Sequence, residues 1–315
     1  MLALSGGVGG AKLVTGLASR LAAQQLATVC NTADDFEHLG LTICPDLDSV
    51  MYALAGRNDS VRGWGLANES WNMLGALRAL GGDAWFQLGD QDLATHLQRS
   101  QRLREGATLT QATAGLCSAL KIAHAVWPMS DDPVRTMVGT SAGELAFQHY
   151  FVREQCQPAV TGFRFAGIDA ARPQPEFLRL LADPLLCAVV ICPSNPFVSV
   201  DPILRLPGVI DALKSCNAPV VAVSPIVGGA AIKGPAAKMM RELGIPASAQ
   251  AVAAYYDGRY PGLLQGFVLD QADAAQAGAI ESLGMRVRVA NTVMKSAGDR
   301  GMLADETIDF ARAIG

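Results

Sequence analysis

Four aspartates stand close together in the sequence and could hold a metal ion or accept a proton. Asp34 and Asp35 follow a short apolar run, and Asp46 and Asp48 lie eleven and thirteen residues beyond Asp35. Carboxylates at a strand end lie where α/β sheets bind ligands, Mg²⁺ takes one or two of them beside phosphate oxygens, and one could be a general base. We expect the Asp-x-Asp pair to face one side of an extended loop. The alternative is local: Asp34 could hold an Asx turn, and Asp48 could cap a helix at Val50.

A glycine-rich run near the N-terminus could bind a phosphate. Residues 6–12 read Gly-Gly-Val-Gly-Gly-Ala-Lys and precede a helical pattern. Glycines let backbone amides approach a phosphate, and the helix N-terminus favours an anion. The run is neither a Walker A loop, because no Gly-Lys-Ser/Thr occurs, nor a dinucleotide fingerprint, because Lys12 replaces the third glycine. We expect Gly7, Gly9, Gly10 and Lys12 to contact a ligand; the alternative is a tight turn that packs helix against strand.

Two later loops could bind the rest of a nucleotide. Residues 192–196 and 224–235 each follow an unbroken apolar run. They offer hydroxyl, amide and backbone donors, which suit a base, a ribose or phosphates. The candidate residues are Ser194, Asn195, Ser224, Gly228 and Lys233. Taken alone, these segments are equally typical of ordinary β–α connections.

Residues 89–96 form a fourth polar segment, which contains Asp90, Asp92 and His96. His96 and Arg99 are three residues apart, so they share a helical face that could contact an anion. The alternative is that Asp92 only begins a helix and that His96 is structural.

The elements that position these residues alternate between strand and helix. Residues 2–4 and 27–30 read as buried strands around an amphipathic helix, so the chain opens as β-α-β. Unbroken apolar runs predict strands at 186–192 and 219–223, and residues 266–269 and 285–289 read as late strands. We therefore expect one domain over 1–315, an α/β fold with a doubly wound, mostly parallel, Rossmann-like sheet. Residues 37–135 are less regular and read as a mostly helical insertion, which includes Trp64, Trp71 and Trp85.

The composition bounds the function class. Half of the 315 residues are hydrophobic and 17% are charged, which suits a large core. A net charge of −4 indicates neither nucleic acid nor an acidic membrane as a partner. Seven cysteines without a CxxC pair argue against a disulfide framework or structural zinc, and free thiols suit the cytoplasm. No apolar stretch is long enough to span a bilayer, and a homodimer is the expectation from base rates.

Seven motifs in this order resemble the 2-phospho-L-lactate transferases, the CofD family. They are SGGVGGAK at 5–12, NTADD at 31–35, CPDLD at 44–48, GDQDLATH at 89–96, PMSDDPV at 128–134, PSNP at 193–196 and SPIVGG at 224–229. Each motif alone is weak, whereas the ordered set spans nearly the whole chain, from about Ser5 to Met294.

The resemblance implies an Mg²⁺-dependent transferase of coenzyme F-420 biosynthesis. Such an enzyme would move a phospho-acid from a guanosine-diphospho-linked donor to a hydroxyl of the deazaflavin Fo and release GMP. Phosphoryl transfer needs positioning and charge neutralisation more than covalent catalysis.

The motif matches also imply roles for the candidate residues. Asp34 and Asp48, with Asp46 as the alternative, would hold Mg²⁺, and Asp35 or Asp46 would take the hydroxyl proton. The glycine run and the Ser194-Asn195 loop would hold the guanosine diphosphate. Contacts to the acceptor Fo would come from the insertion and the first acidic pair, through Asp34, Asp90, Asp92, His96 and Trp85.

Three departures from the family pattern leave the three-carbon acid open. The family usually has Arg where this chain has Gln91, and Arg62 or Arg135 could replace that cation. Asn291 and Ala230 stand where Asp and Lys are common. Phospholactate, phosphoenolpyruvate and 3-phosphoglycerate differ by small groups that one side chain could distinguish.

Two other function classes remain open. A nucleotide-sugar-binding regulator could use the same glycine loop and Asn-Thr-Asp-Asp-like turn without catalysing a transfer. An NAD(P)-dependent oxidoreductase is supported only by the glycine-rich turn, and it ranks last.

Overall fold

The structure is a computed structural model that describes residues 1–315. Its strands are β1 Leu2–Ser5, β2 Ala27–Cys30, β3 Phe36–His38, β4 Leu41–Ile43, β5 Ala125–Pro128, β6 Arg135–Thr140, β7 Gly143–Ala146, β8 Val160–Ala166, β9 Val189–Ile191, β10 Val220–Val223, β11 Ile226–Val227, β12 Ala230–Ala231, β13 Gly266–Asp270 and β14 Arg286–Ala290. Its α-helices are α1 Gly7–Ala18, α2 Pro45–Leu54, α3 Asn72–Ala79, α4 Asp90–Arg104, α5 Leu109–Ala119, α6 Pro175–Leu181, α7 Asp201–Leu204, α8 Val209–Ser215, α9 Ala236–Glu242, α10 Ala249–Arg259, α11 Ala277–Glu281 and α12 Ala297–Ile314.

Seven strands form the central sheet in the order β14-β13-β10-β9-β1-β2-β5, and every neighbouring pair is parallel. The chain builds outward from β1 through β2 and β5, and it then returns to β9 on the other side of β1. The point where the strand order reverses therefore lies between β1 and β9. Open α/β sheets bind ligands in the crevice at the carboxyl ends of such a pair.

Helices cover both faces of this sheet, which confirms the doubly wound prediction. Leu2 and Leu4 point into a core of 46 buried residues, whereas Ala3 points into a second core of 28 on the other face. Successive residues of a strand face opposite sides, so a strand covered on both faces must be apolar throughout. The runs at 186–192, 219–223 and 266–269 are apolar for this reason, and each overlaps a strand. The segment 285–289 overlaps the largely exposed edge strand β14, in which Arg286 and Arg288 alternate with valines.

The helix after Cys44 begins earlier than the sequence pattern suggests. Pro45 is in the first turn of α2, where its fixed φ favours a helix and its missing N–H costs nothing. Asp46 and Asp48 are therefore in the same first turn rather than in an extended loop. Residues two apart on a helix point in different directions, so both the prediction of a shared side and that of Asp48 as a cap at Val50 are wrong.

Residues 37–135 are only partly an insertion. Helices α2 to α5 dominate them, but β5 is the edge strand of the central sheet and α2 packs against α1. The β5 sequence, Ala-Val-Trp-Pro, is too short and mixed to read as a core strand. An antiparallel sheet of β7, β6 and β8 follows, which the sequence did not predict. No helix is both long and apolar enough to cross a membrane.

Candidate active site

A cleft of about 610 Å³ opens at the carboxyl ends of β1, β9 and β10. It lies where the strand order reverses, as expected for this fold. Most of the predicted site residues line it: Gly7, Gly9, Lys12, Asp34, Asp46, Asp48, Trp85, Asp92, His96, Ser194, Asn195, Ser224 and Lys233. Four do not: Gly10, Asp35, Asp90 and Gly228.

The glycine run serves both packing and the cleft. A side chain at Gly9 would collide with the Pro193 carbonyl oxygen, and one at Gly10 would collide with the Ser5 hydroxyl. Gly10 is therefore a packing residue, as the alternative interpretation held. Gly7 instead has a φ of 65°, in the region that favours glycine, and faces the cleft.

The loops after β1 and β9 are tied together by one serine. The Gly6 amide donates to the Ser194 hydroxyl at 3.0 Å, and that hydroxyl donates to the Gly6 carbonyl at 2.7 Å. These two hydrogen bonds join the ends of β1 and β9, the strands between which the strand order reverses. Asn195 accepts from the Phe197 amide at 3.0 Å, which fixes the following turn.

One group of aspartates, Asp34, Asp35 and Asp46, is buried without a protein cation; we call them the glycine-loop carboxylates. Asp46 accepts from the Gly7 amide at 2.6 Å and from the Asn31 side chain at 3.0 Å. One oxygen each of Asp34 and Asp35 is buried without a hydrogen-bond partner. None of the three forms an ion pair.

Burial is the main cause of their electrostatic state. It raises the pKa of Asp34 well above its ordinary value, and the neighbouring charge of Asp46 raises it further. Burial also raises the pKa of Asp46 to about 6, although hydrogen bonds from Asn31 and Gly7 oppose the shift. The pKa of Asp35 is raised to about 8 by burial. These carboxyl groups would be ionised more readily with a cation beside them.

Asn31 makes the local turn that was considered for Asp34. Its side-chain oxygen accepts from the Ala33 amide at 3.0 Å, so the Asx turn belongs to Asn31 and the alternative for Asp34 is wrong. Asn31 therefore stabilises this turn through its side-chain oxygen and donates to Asp46 through its side-chain nitrogen. Asn31 was not among the predicted site residues, although it opens the NTADD motif.

A second group, Asp48 and Asp92, surrounds Arg99; we call them the Arg99 carboxylates. Arg99 is fully buried and pairs with both oxygens of Asp48, one of them at 3.1 Å from Nη1. His96 lies between them, with Nδ1 3.3 Å from Arg99 Nη1 and Nε2 3.3 Å from Asp92 Oδ1. Tyr52 donates to Asp92 at 2.5 Å. The network joins α2 to α4 across the floor of the cleft.

The charges within this second group compensate one another. Burial raises the pKa of Asp92, but the hydrogen bond and charge of His96 outweigh it, so the net shift is downward. For Arg99, burial is outweighed by the charge of Asp48, which raises the guanidinium pKa. The ligand atoms of Asp48, Asp92 and His96 lie within 4.8 Å of one another, close enough to hold a metal ion. The Arg99 guanidinium already supplies a positive charge there.

Aromatic side chains form two walls of the cleft. Trp85 packs edge-on against Phe86 and His149, with ring centroids 5.6 and 5.0 Å apart. Phe147 and Phe151 stack at 5.5 Å with an interplanar angle of 11°. Of these side chains only Trp85 was predicted. Phe147 and Phe151 lie beyond β7, outside the segment that was assigned to the acceptor.

Of the two cations considered as replacements for the missing arginine, only Arg62 lies at the cleft. Its guanidinium is over Trp64 at 5.1 Å and over Trp71 at 4.9 Å from the ring centroids. Arg135 does not line the cleft. Gln91 itself points towards the Asn68 carbonyl, which accepts from it at 2.9 Å.

The sequence matches the family model for 2-phospho-L-lactate transferase CofD over residues 1–292. The chain belongs to the CofD family. This confirms the resemblance drawn from the seven motifs, and it accounts for their fixed order along the chain.

Curated relatives of this CofD protein match over all or nearly all of its length. A phosphoenolpyruvate transferase of Kitasatospora aureofaciens is 38% identical over 322 positions, covering 100% of this chain and 98% of that one. A 2-phospho-L-lactate transferase of Methanosarcina mazei is 39% identical over 296 positions, covering 94% and 95%. Both names denote a transferase, which supports an enzyme. The near-equal identities do not distinguish the two acids.

A solved structure shares the fold of this CofD protein. The crystal structure of a UPF0052-family protein from Bacillus halodurans superposes with a TM-score of 0.66 and covers 98% of this chain and 97% of that one. At 14% identity it shows the fold alone.

The four predicted residues outside the cleft have structural partners. Both oxygens of Asp90 accept from the start of α3, including the Asn72 and Met73 amides at 3.1 Å each. The Gly228 amide donates to Asp273 at 2.9 Å. Asp35 is buried, and the nearby Cys44 side chain partly opposes the rise in its pKa. Gly10 packs α1 against β1.

Proposed function

We propose that this protein is an Mg²⁺-dependent transferase that moves a three-carbon phospho-acid from a guanosine-diphospho-linked donor to a hydroxyl of Fo and releases GMP. One observation carries the proposal. A single cleft brings together the glycine loop, buried carboxylates without a protein cation and flat aromatic walls. These are the parts that a phosphate, a divalent cation and a planar acceptor require.

Asp34 is the best-suited metal ligand in this cleft. It is 4% exposed and one oxygen has no partner, so a cation would satisfy a carboxylate that the protein leaves uncompensated. Asp48, the second ligand suggested by the family motif, suits the role less well because Arg99 holds both its oxygens. Bound Mg²⁺ would withdraw negative charge from the diphosphate.

Asp46 is the best-suited general base. It lines the cleft, and donors from Gly7 and Asn31 fix its orientation while leaving lone pairs free. A pKa of about 6 is near the operating pH, where a base is most effective. Asp35, the other candidate, does not reach the cleft.

The donor and the acceptor would occupy different parts of the cleft. The guanosine diphosphate would lie along Gly7, Gly9 and Lys12 and the loops that carry Ser194, Asn195, Ser224 and Lys233. The deazaflavin ring would lie between Trp85 and the stacked Phe147 and Phe151, above Asp92 and His96. Offset stacking on such rings stabilises a flat ligand.

The remaining expectations belong to the same proposal. We expect a cytoplasmic protein, in keeping with its seven free cysteines. We expect one domain over 1–315, in which the helical part of residues 37–135 contributes to acceptor binding. A homodimer remains the expected assembly.

The test is a reconstituted reaction. Purified protein is mixed with Fo, Mg²⁺ and lactyl, enolpyruvyl or glyceryl forms of the donor, and GMP and the deazaflavin product are followed by chromatography and mass. Product from one donor would support the transferase and identify the acid. GMP without deazaflavin product would mean that the acceptor is wrong. Tight binding of a nucleotide sugar without turnover would favour the regulator.

A further inference from the structure

A second, smaller cavity opens beside the cleft and differs from it in charge. It has a volume of about 190 Å³ and lies between α1, the loop around residues 58–65 and the start of α12. Four cations line it, namely Lys12, Lys233, Lys295 and Arg300, and no lining residue is acidic. We call it the basic side pocket. It shares Lys12 and Lys233 with the main cleft.

None of the four cations forms an ion pair, although Asp299 accepts from the Lys295 backbone amide and the Lys295 charge contributes to lowering the pKa of Asp299. Lys12 donates to the Met294 carbonyl at 2.9 Å, and Lys233 donates to the Arg62 carbonyl at 3.2 Å. Lys295 and Arg300 make no side-chain hydrogen bond or ion pair, and Arg300 Nε is buried without a partner. A buried donor without a partner is costly, so this group is suited to an acceptor that the chain does not provide.

The cations lie near enough to repel one another. Burial lowers the pKa of Lys12, and the charges of Lys233 and Arg300 lower it further. Like charges held together without a counter-ion destabilise a fold, whereas an anion between them would be attracted by all four. The cavity exceeds by several-fold the ~30 Å³ that one water takes up in the liquid, so it has room for a phosphate or carboxylate group.

We propose that the basic side pocket is an anion site that binds a phosphate-sized oxyanion through Arg300 and Lys295, together with Lys12 and Lys233. This goes beyond the proposed transfer reaction, in which Lys295 and Arg300 have no part. The anion has two possible sources, a phosphate of the bound nucleotide or a free ion such as inorganic phosphate. Both have the same chemistry, and the pocket opens next to the glycine loop, within reach of either.

The experiment is a calorimetric titration with inorganic phosphate at constant ionic strength, without substrates. Lys295→Gln/Arg300→Gln is compared with the wild type and with Lys214→Gln/Arg241→Gln, which removes two exposed, unpaired cations elsewhere. We expect phosphate to bind the variant at least tenfold more weakly, about 1.4 kcal/mol, and the control like the wild type. Equal affinity in wild type and variant, or no binding to the wild type, would overturn the proposal.

Two further measurements make the result specific. Circular dichroism and thermal melting check that the variant is folded; we expect it to melt at or above the wild-type temperature without phosphate, because repulsion is relieved. Repeating the titration with saturating GDP separates the sources: lost phosphate binding identifies a nucleotide phosphate, and unchanged binding identifies a separate ion. Failure of GDP to bind would count against the proposed function but leave the comparison in phosphate intact.

Discussion

The two groups of buried carboxylates in the cleft solve the same electrostatic problem in opposite ways. The Arg99 carboxylates have an internal cation, and their charges are paired inside the protein. The glycine-loop carboxylates have none, and burial raises the pKa values of all three. An isolated buried carboxylate is costly, so the glycine-loop carboxylates are the ones that call for a cation from solution. If closeness of carboxylate and imidazole ligand atoms were the only criterion, the Arg99 carboxylates with His96 would have been the predicted metal site.

Removing the internal cation should have the largest effect on the fold. Arg99→Met leaves Asp48 charged and buried without a partner, which typically costs about 3–5 kcal/mol of unfolding free energy. We expect the loss to show in urea denaturation. Arg104→Met, an exposed change on the same helix, should alter stability by no more than about 0.5 kcal/mol.

A double variant tests whether the charge pair itself is responsible. Arg99→Met/Asp48→Leu removes both charges, so it should recover much of the stability lost in Arg99→Met. If Asp48→Leu lowered the stability of Arg99→Met as much as it lowers that of the wild type, Arg99 would act through packing and not through its charge.

Asp34 should show the opposite behaviour. Asp34→Asn removes a buried carboxylate that has no protein cation, so we expect unchanged or higher stability without metal. Transfer activity should fall by about 100-fold or more, because several kcal/mol of metal-ion stabilisation would be lost. The checks are steady-state GMP release and Mg²⁺ titration. Full turnover in Asp34→Asn would remove it from the metal site.

The two groups should also differ in pH dependence. The folded-state pKa values of Asp46 and Asp35 are raised to about 6 and about 8 from an ordinary 3.8. The native state then binds more protons than the unfolded state between these values and 3.8. Unfolding free energy should therefore fall as pH rises from about 4 to about 8 and level off above.

Mg²⁺ provides the control for this pH effect. A cation beside these carboxylates favours their ionised form, so Mg²⁺ should raise the melting temperature more at pH 8.5 than at pH 5.5, by roughly 2–4 °C per kcal/mol. Asp34→Asn should weaken this difference. A melting temperature that rises with pH in metal-free wild type would contradict the raised pKa values.

The sequence predicted the sheet better than it predicted the site. Apolar runs and the β-α-β opening were sufficient for the inner strands of the central sheet, because burial on both faces leaves a pattern in the residues themselves; the edge strand β5 and the sheet of β6 to β8 were missed. The partners of the aspartates were not predictable, since Arg99 reaches Asp48 from a helix 51 residues away. Phe147 and Phe151 were missed because they follow β7, outside the segment that was assigned to the acceptor. The family motifs indicated candidate positions but did not distinguish ligand-binding residues from structural ones.

Asp90 shows this last point and gives the smallest expected effect. The motif match assigned it to acceptor binding, whereas in the structure it accepts hydrogen bonds from Ser70, Asn72 and Met73 at the start of α3. Asp90→Ala should therefore lower the melting temperature slightly, as for a lost helix cap, with KM for Fo unchanged.

Asp92→Asn is the matched comparison for Asp90→Ala. Asp92 lines the cleft between Tyr52 and His96, so its loss should raise KM for Fo even where the fold is retained. An increase in KM with Asp90→Ala equal to that with Asp92→Asn would instead mean that α3 moves aside and exposes Asp90 to the acceptor. Because Asp90 already accepts four hydrogen bonds from residues at the start of α3, such a movement would have to break them, and melting α3 should then be the first step in Fo binding.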